Sequence, residues 1–219
     1  MIANELISQT VSSLRTSDLG EEAITIMNIF HVKHLPIVNN EQLLGVISEE
    51  EILGHELSEP IGSYTLSMHK PYAKAEDHMF EVMSIMAEYN LTVVPVVDQK
   101  GDYIGLITQD DLIQFYAKSF SFTESGSILV LKTRKRDYSL AEISRIIEME
   151  NASILSSFIT NSPNSDEILV TLKLNVQDIQ HIIATLERYE YTIKSTFAET
   201  EYIDSMKERF DSLMHFLNV

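Results

Sequence analysis

The sequence predicts an α/β protein of the mixed (α+β) kind. It should hold two copies of a helix–strand–strand–helix unit, then a β-α-β-β-α-β domain with a terminal helix. Three observations carry this. A phrase starting at glycine, "GVISEEEI" (45–52), returns sixty residues later as "GLITQDDL" (105–112). Helical spacing of apolar residues alternates with short β-branched runs. After residue 120 a different order of elements replaces that grammar.

The repeat extends beyond the phrase. "HVKHLPIVNN-EQLLGVISEEEIL" (31–53) aligns with "NLTVVPVVDQKGDYIGLITQDDLI" (90–113) with one gap, and "EEAITIMNIF" (21–30) aligns with "FEVMSIMAEY" (80–89). Pro36 falls on Pro95, Gly45 on Gly105, Ser48 on Thr108 and Glu51 on Asp111. The chain therefore holds two repeat units, 1–59 and 60–120.

Within each unit the elements follow from local pattern. Ala23, Ile24, Met27 and Phe30, like Val82, Met83, Met86 and Tyr89, recur at three- and four-residue steps and form one apolar helical face. "LPIV" and "VVPVV" are β-branched runs and read as buried strands, each with a proline that suits an edge or a strand start. Polar turn residues in "VNNEQLLGVI" and "VDQKGDYIGLI" separate two apolar runs, which marks a hairpin. "SEEEILGHEL" and "TQDDLIQFYAK" open with a hydroxyl residue and acids. Ser48 and Thr108 are thus expected helix N-caps, with the acids favoured by the positive helix end.

These residues resemble the CBS domain (cystathionine-β-synthase type), whose phrase is apolar-Pro-Val-Val-Asp, a turn, then Gly-apolar-apolar-Thr-x-x-Asp-Leu. "VPVVDQKGDYIGLITQDDL" fits it closely and the first copy more loosely. The resemblance covers residues 1–120. It implies a tandem pair packed through its sheets, since one copy alone leaves an apolar sheet face uncovered. It also implies a cleft between repeats that often holds an adenosine ligand, with AMP, ADP, ATP and S-adenosylmethionine as candidates and no required cofactor. Thr108 and Asp111 would complete one site, the hydroxyl reaching phosphate and the short carboxylate the ribose hydroxyls. Ser48 and Glu51 stand at the other, where Glu51 is one methylene longer and Glu49 and Glu50 oppose polyphosphate. Lys33 and His34 precede the first "LPIV", where the family often contacts phosphate. His69, Lys70 and Tyr72 could add charge and an aromatic face for adenine. The second site, at Thr108 and Asp111, is the better expectation. The same hydroxyls and acids would also serve as plain helix caps.

The tail half reads in order. "SFTESGS" opens with a polar linker, 121–126. "SILVLK" (127–132) is a strand, "SLAEISRIIEMEN" (139–151) a helix and "SILSSFIT" (153–160) a strand. "NSPNSDE" (161–167) is a turn, "ILVTLKLN" (168–175) a strand, "VQDIQHIIATLERYE" (176–190) a helix and "YTIKSTFAE" (191–199) the last strand. That is the ferredoxin-like split order. "YIDSMKERFDSLMHFLNV" (202–219) adds an amphipathic helix. Residues 127–219 resemble an ACT domain, a regulatory module that often senses amino acids. In "RDYSLAEI", Asp137 and Leu140 match its Asp-x-Pro-Gly-x-Leu phrase, but Tyr138-Ser139 replace Pro-Gly. A tyrosine there crowds the close approach that glycine allows, so pairing between domains is the more natural role. A CBS pair followed by an ACT-like domain is similar to the acetoin-utilisation regulatory protein group of bacteria, which implies a regulator without its own chemistry.

Composition narrows the functions. The net charge of -17 is concentrated in residues 1–120, with 18 acidic against 6 basic side chains. Such a surface repels nucleic acid and anionic membranes, and "TRKRD" (133–137) is too short to reverse that. Zero cysteines excludes thiolate catalysis and cysteine-ligated metals. No apolar run approaches the ~18 residues that span a bilayer, and "MIANELISQTVSSL" lacks a basic n-region, so a cytoplasmic location is expected. His31 and His34 with Glu49 or Glu51 are the nearest approach to a metal set, but His-x-x-His is common by chance and no metal is expected. No Gly-rich phosphate loop or Ser elbow is present. Two readings remain: a non-catalytic, homodimeric regulator sensing an adenosine nucleotide, or an assembly module whose nucleotide site has decayed.

Overall fold

A computed structural model describes residues 1–64, 70–161, 165–198 and 214. The chain divides into two compact units, Met1–Tyr116 and Ala117–Val219.

In the first unit, each repeat contributes a long helix, an antiparallel hairpin and a second helix. These are α1 (Gly20–Phe30), β1 (His34–Asn39), β2 (Gln42–Ser48) and α2 (Glu49–Leu53). The second repeat gives β3 (Ala73–Lys74), α3 (Met79–Tyr89), β4 (Val93–Val97), β5 (Tyr103–Thr108) and α4 (Gln109–Ser119). Both long helices end on a left-handed residue, His31 at φ 54° and Asn90 at φ 52°. Each sends its N–H back to a methionine carbonyl, Met27 or Met86. His31 is therefore the exposed stop signal of a helix.

Three details differ from the sequence expectation. The helix after Ser48 stops at Gly54 instead of running through His55 and Leu57; His55 instead stacks on the Tyr64 ring at 4.4 Å. Pro95 does not lie on an edge strand, because β4 pairs with both β3 and β5. β3 pairs only with Val96 and Val97, so the missing N–H of Pro95 falls outside that ladder. Finally, each repeat opens with a short parallel pairing that no periodicity announces: Leu14 with Ile37, and Ala73–Lys74 with Val96–Val97.

The repeats also exchange their leading segments. Ala3 and Asn4 donate to the carbonyls of Asp77 and Ala75 in the second repeat, and Ser8 to Leu106. Ile61 and Gly62 donate to Asp18 and Thr16 in the first. The core is shared as well. Leu106 and Val93 of the second repeat are buried in one cluster with Leu35, Ile37, Ile47 and Ile52 of the first. This burial is the physical reason for two copies, since each covers apolar surface the other exposes.

The motif glycines sit across from matching irregularities. Gly45 pairs with Ile37 beside the bulge at Ile37/Val38, and Gly105 with Val96 beside the bulge at Val96/Val97. Gly105 has φ +155°, and a bulge partner with that backbone favours glycine.

The second unit holds β6 (Ser127–Arg134), α5 (Leu140–Met149), β7 (Ile154–Asn161), β8 (Glu167–Leu174), α6 (Gln180–Arg188) and β9 (Thr192–Ala198). The sheet is antiparallel in the order β7-β8-β6-β9, the expected split arrangement. One face of β6 and β8 is buried against Ile143, Ile146 and Ile147 of α5 and Ile182 and Leu186 of α6. Ser139 caps α5, accepting from Glu142 N–H at 3.3 Å, and Tyr138 packs against the core. Phe122, within the expected linker, lies 6.1 Å from the Phe158 ring of β7. The expected terminal helix over 202–219 falls outside the described residues, apart from Met214, which is exposed.

Candidate functional site

The two repeats meet along a pseudo-symmetric pair of clefts. In each, the chain leaving a long helix of one repeat faces the start of the second helix of the other. The N–H of Lys33 donates to Thr92 Oγ1 at 2.8 Å, and the N–H of Thr92 donates to His34 Nδ1 at 3.2 Å. Below this seam, Glu49 N–H donates to the Lys33 carbonyl and Gln109 N–H to the Thr92 carbonyl.

The hydroxyl–acid pairs of the motif close on themselves in the same way at both sites. Thr108 donates from its N–H (3.0 Å) and hydroxyl (2.6 Å) to Asp111 Oδ2, and Asp111 N–H donates to Thr108 Oγ1 (3.0 Å). Ser48 donates to Glu51 Oε2 from N–H (2.8 Å) and hydroxyl (2.9 Å), and Glu51 N–H returns to Ser48 Oγ (3.2 Å). Both are capping boxes. The extra methylene of Glu51 is taken up in the box, and both carboxylates accept from their hydroxyl and its N–H, at 2.9 Å from the hydroxyl for Glu51 and 2.6 Å for Asp111.

The clefts differ in room. Around Ser48 lie two adjoining cavities. One of about 280 Å³ is lined by Lys33, His34, Ser48, Glu49, Glu50 and Asn90. The other, about 190 Å³, is lined by His34, Val46, Ser48, Glu51, Pro71, Tyr89 and Leu91. The corresponding space at Thr108, bounded by Phe30, His31, Val32, Thr92, Thr108, Gln109 and Asp110, is about 40 Å³. Gln109, which borders it, donates from its side chain to the Leu91 carbonyl of its own repeat at 3.1 Å, and Asp111 is not among the lining residues. The larger space thus lies at Ser48, while the closer motif match lies at Thr108 and Asp111.

Of the sequence-selected residues, Lys33, His34, Ser48 and Glu51 come together around the larger space. Thr108, 6% exposed, borders the smaller one. Tyr72 lies in neither cleft. It is 45% exposed, while its neighbour Pro71 turns inward as the lining residue. His69 falls outside the described residues. Tyr89, Asn90 and Leu91 are not marked as site residues by the motif, and Tyr89 fits the apolar helical face. Its alignment with Phe30, at the mouth of the other cleft, is the signal that could have found it. Tyr89 is in fact 47% exposed. No group of three or more metal-ligating side chains occurs among the described residues, and no helix among them is long and apolar enough to cross a membrane.

His34 sets the electrostatics of the larger cleft. Its pKa is lowered from the ordinary 6.5, chiefly by burial and further by Lys33, against the opposing pull of Glu51 and Glu50. Nδ1 accepts the Thr92 N–H, so the neutral ring carries its proton on Nε2. Protonation would set an Nδ1–H against that donor. The folded state therefore binds the proton less readily than the unfolded chain. The resulting stability is whole above pH 6.5 and is lost as pH falls through the folded-state pKa below it. Denaturant melts of wild type and His34→Asn across pH 5 to 8 should show this step in wild type alone. A variant with the same pH profile would contradict it.

Comparison with known proteins comes out clearly on the first unit. The CBS domain family model matches residues 3–58 and 62–118, just over half of the chain. The chain is 27% identical over 131 residues to inosine-5′-monophosphate dehydrogenase of Korarchaeum cryptofilum, a match covering 58% of this chain and 27% of that enzyme. It thus spans about a quarter of that relative's length. Among solved structures, it is similar to a CBS domain pair/ACT domain protein of Thermotoga maritima, at 17% identity and TM-score 0.48 over 54% of this chain and 98% of that one. It is also similar to a Vibrio cholerae protein assigned to acetoin utilization, at 20% identity and TM-score 0.47 over 56% and 95%. With both repeats matched by the family model, the chain belongs to the CBS-domain family.

Proposed function

We propose that the protein is a non-catalytic regulator that binds an adenosine compound in the cleft around Ser48 and His34 and passes its ligand state to the ACT-like domain. The carrying observation is the two-chambered space at Ser48. Val46, Pro71 and Leu91 give it an apolar wall, Tyr89 an aromatic face, and Ser48 and His34 polar groups beside them. An apolar chamber with an aromatic face, beside a polar one, suits a purine nucleoside, whose base and ribose end need different surroundings. Because residues of both repeats line it, a ligand there favours one relative placement of the repeats, and that differential affinity shifts an equilibrium. Thr108 and Asp111 would serve mainly as the matching helix cap of the second repeat.

Thermal melting with and without AMP, ADP, ATP, S-adenosylmethionine and 5′-methylthioadenosine tests this. A ligand at a hundred times its dissociation constant adds ~2.7 kcal/mol and should raise the melt by several degrees. No shift with any of the five would favour an assembly module.

Homodimerisation is part of the same reading. β7 is an edge strand, and Ser157 to Asn161 are exposed in succession. It contains no charged residue or proline to discourage pairing. Ile159→Lys should convert a dimer to monomer in light scattering, and a dimer persisting in that variant would exclude this edge.

A further inference from the structure

The two chambers of the Ser48 cleft differ in kind, and the selectivity inferred from that difference rests on the adenosine reading of the cleft. One is walled by Val46, Pro71, Tyr89 and Leu91, the other by Lys33, Glu49, Glu50 and Asn90. His34 and Ser48 line both and so stand at the boundary between them. A ligand with its flat ring in the apolar chamber directs its other end past Ser48 into the polar one.

Fixed charge in that direction is mostly of one sign. Among the described residues, Glu49 and Glu50 line the polar chamber and Glu51 the adjoining one, against the single ammonium of Lys33. His34 supplies no second cation, since its Nδ1 is occupied as an acceptor of the Thr92 N–H. The acid at position 49 belongs to this cleft in particular, because the aligned residue bordering the other is the neutral Gln109. Elsewhere the chain is acidic too, with a net charge of -17. A phosphate placed here adds like charge to a chamber lined by two acidic residues, and repulsion between charges at short range is least screened. A neutral thioether or a cationic sulfonium meets no such penalty, and the cation is attracted.

We infer that the Ser48 cleft selects adenosine derivatives whose ribose-end substituent is neutral or positively charged, and discriminates against adenosine phosphates. Calorimetric titration of the full chain in metal-free buffer compares four probes: 5′-methylthioadenosine, S-adenosylmethionine, AMP and ATP. The first two should bind about tenfold or more tighter than AMP, a gap that narrows with added salt. Glu49→Gln combined with Glu50→Gln should strengthen AMP binding about tenfold while leaving methylthioadenosine unchanged, and Lys33→Gln should widen the gap. AMP or ATP binding wild type as tightly as methylthioadenosine would overturn the selectivity while leaving the adenosine site standing. A ratio unmoved by the double variant would do the same. Failure of all four probes to bind would overturn the adenosine reading itself, and this inference with it.

Discussion

Gly105→Ala should destabilise the N-terminal unit by about 3 kcal/mol, combining backbone strain with overpacking. A Cβ on Gly105 would stand 2.4 Å from Ile7 Cγ2, on a backbone at φ +155°. Ile7 has little freedom to withdraw, since the next residue, Ser8, is hydrogen-bonded to the Leu106 carbonyl. Gly101 provides the control. It has φ +90°, but nothing lies within 4 Å of an added Cβ. Gly101→Ala should therefore cost only the left-handed backbone penalty, ~1 kcal/mol. Urea denaturation measures both, and equal losses would remove the close approach at Ile7 as the cause.

Leu106→Ala should cost about 3 kcal/mol, the usual range for emptying a well-packed aliphatic site. Leu106 is 1% exposed and lies in the cluster otherwise built mainly from the first repeat. Its loss should therefore lower the stability of both repeats together. Probes in either repeat, such as hydrogen exchange at Ile47 and Ile107, should report the same loss. Destabilisation confined to the second repeat would mean that the two cores are separable.

The extent to which this architecture is legible in the sequence depends on the range of the interactions. The alternation of "VVPVVDQKGDYIGLIT" is a local pattern, and β4 and β5 form where it predicts them. The same holds for the helices containing Met27 and Met86 and for the β-α-β-β-α-β order of the tail. What local pattern does not carry is pairing with distant segments and single-residue bridges. The single-residue bridge of Leu14 and the docking of Ala3 and Asn4 on Asp77 and Ala75 depend on partners about seventy residues away or on isolated contacts. The candidate site shows the same division. Ser48 and Glu51 are recognisable from motif spacing, whereas the size of each cleft depends on where Gln109, Tyr89 and Pro71 come to lie. Motif quality thus points to Asp111, while the open space lies at Ser48.

The central claim is that the Ser48 cleft holds one adenosine compound, and calorimetric stoichiometry with a Tyr89→Ala variant tests it most directly. Tyr89 is 47% exposed and lines the apolar chamber, so its truncation should leave the fold intact and remove the aromatic face of the site. Wild type should bind one ligand per chain. The variant should lose at least tenfold in affinity, the scale of one lost aromatic–base contact, ~1–3 kcal/mol. Undiminished binding in Tyr89→Ala would contradict the claim and return the site to Thr108 and Asp111.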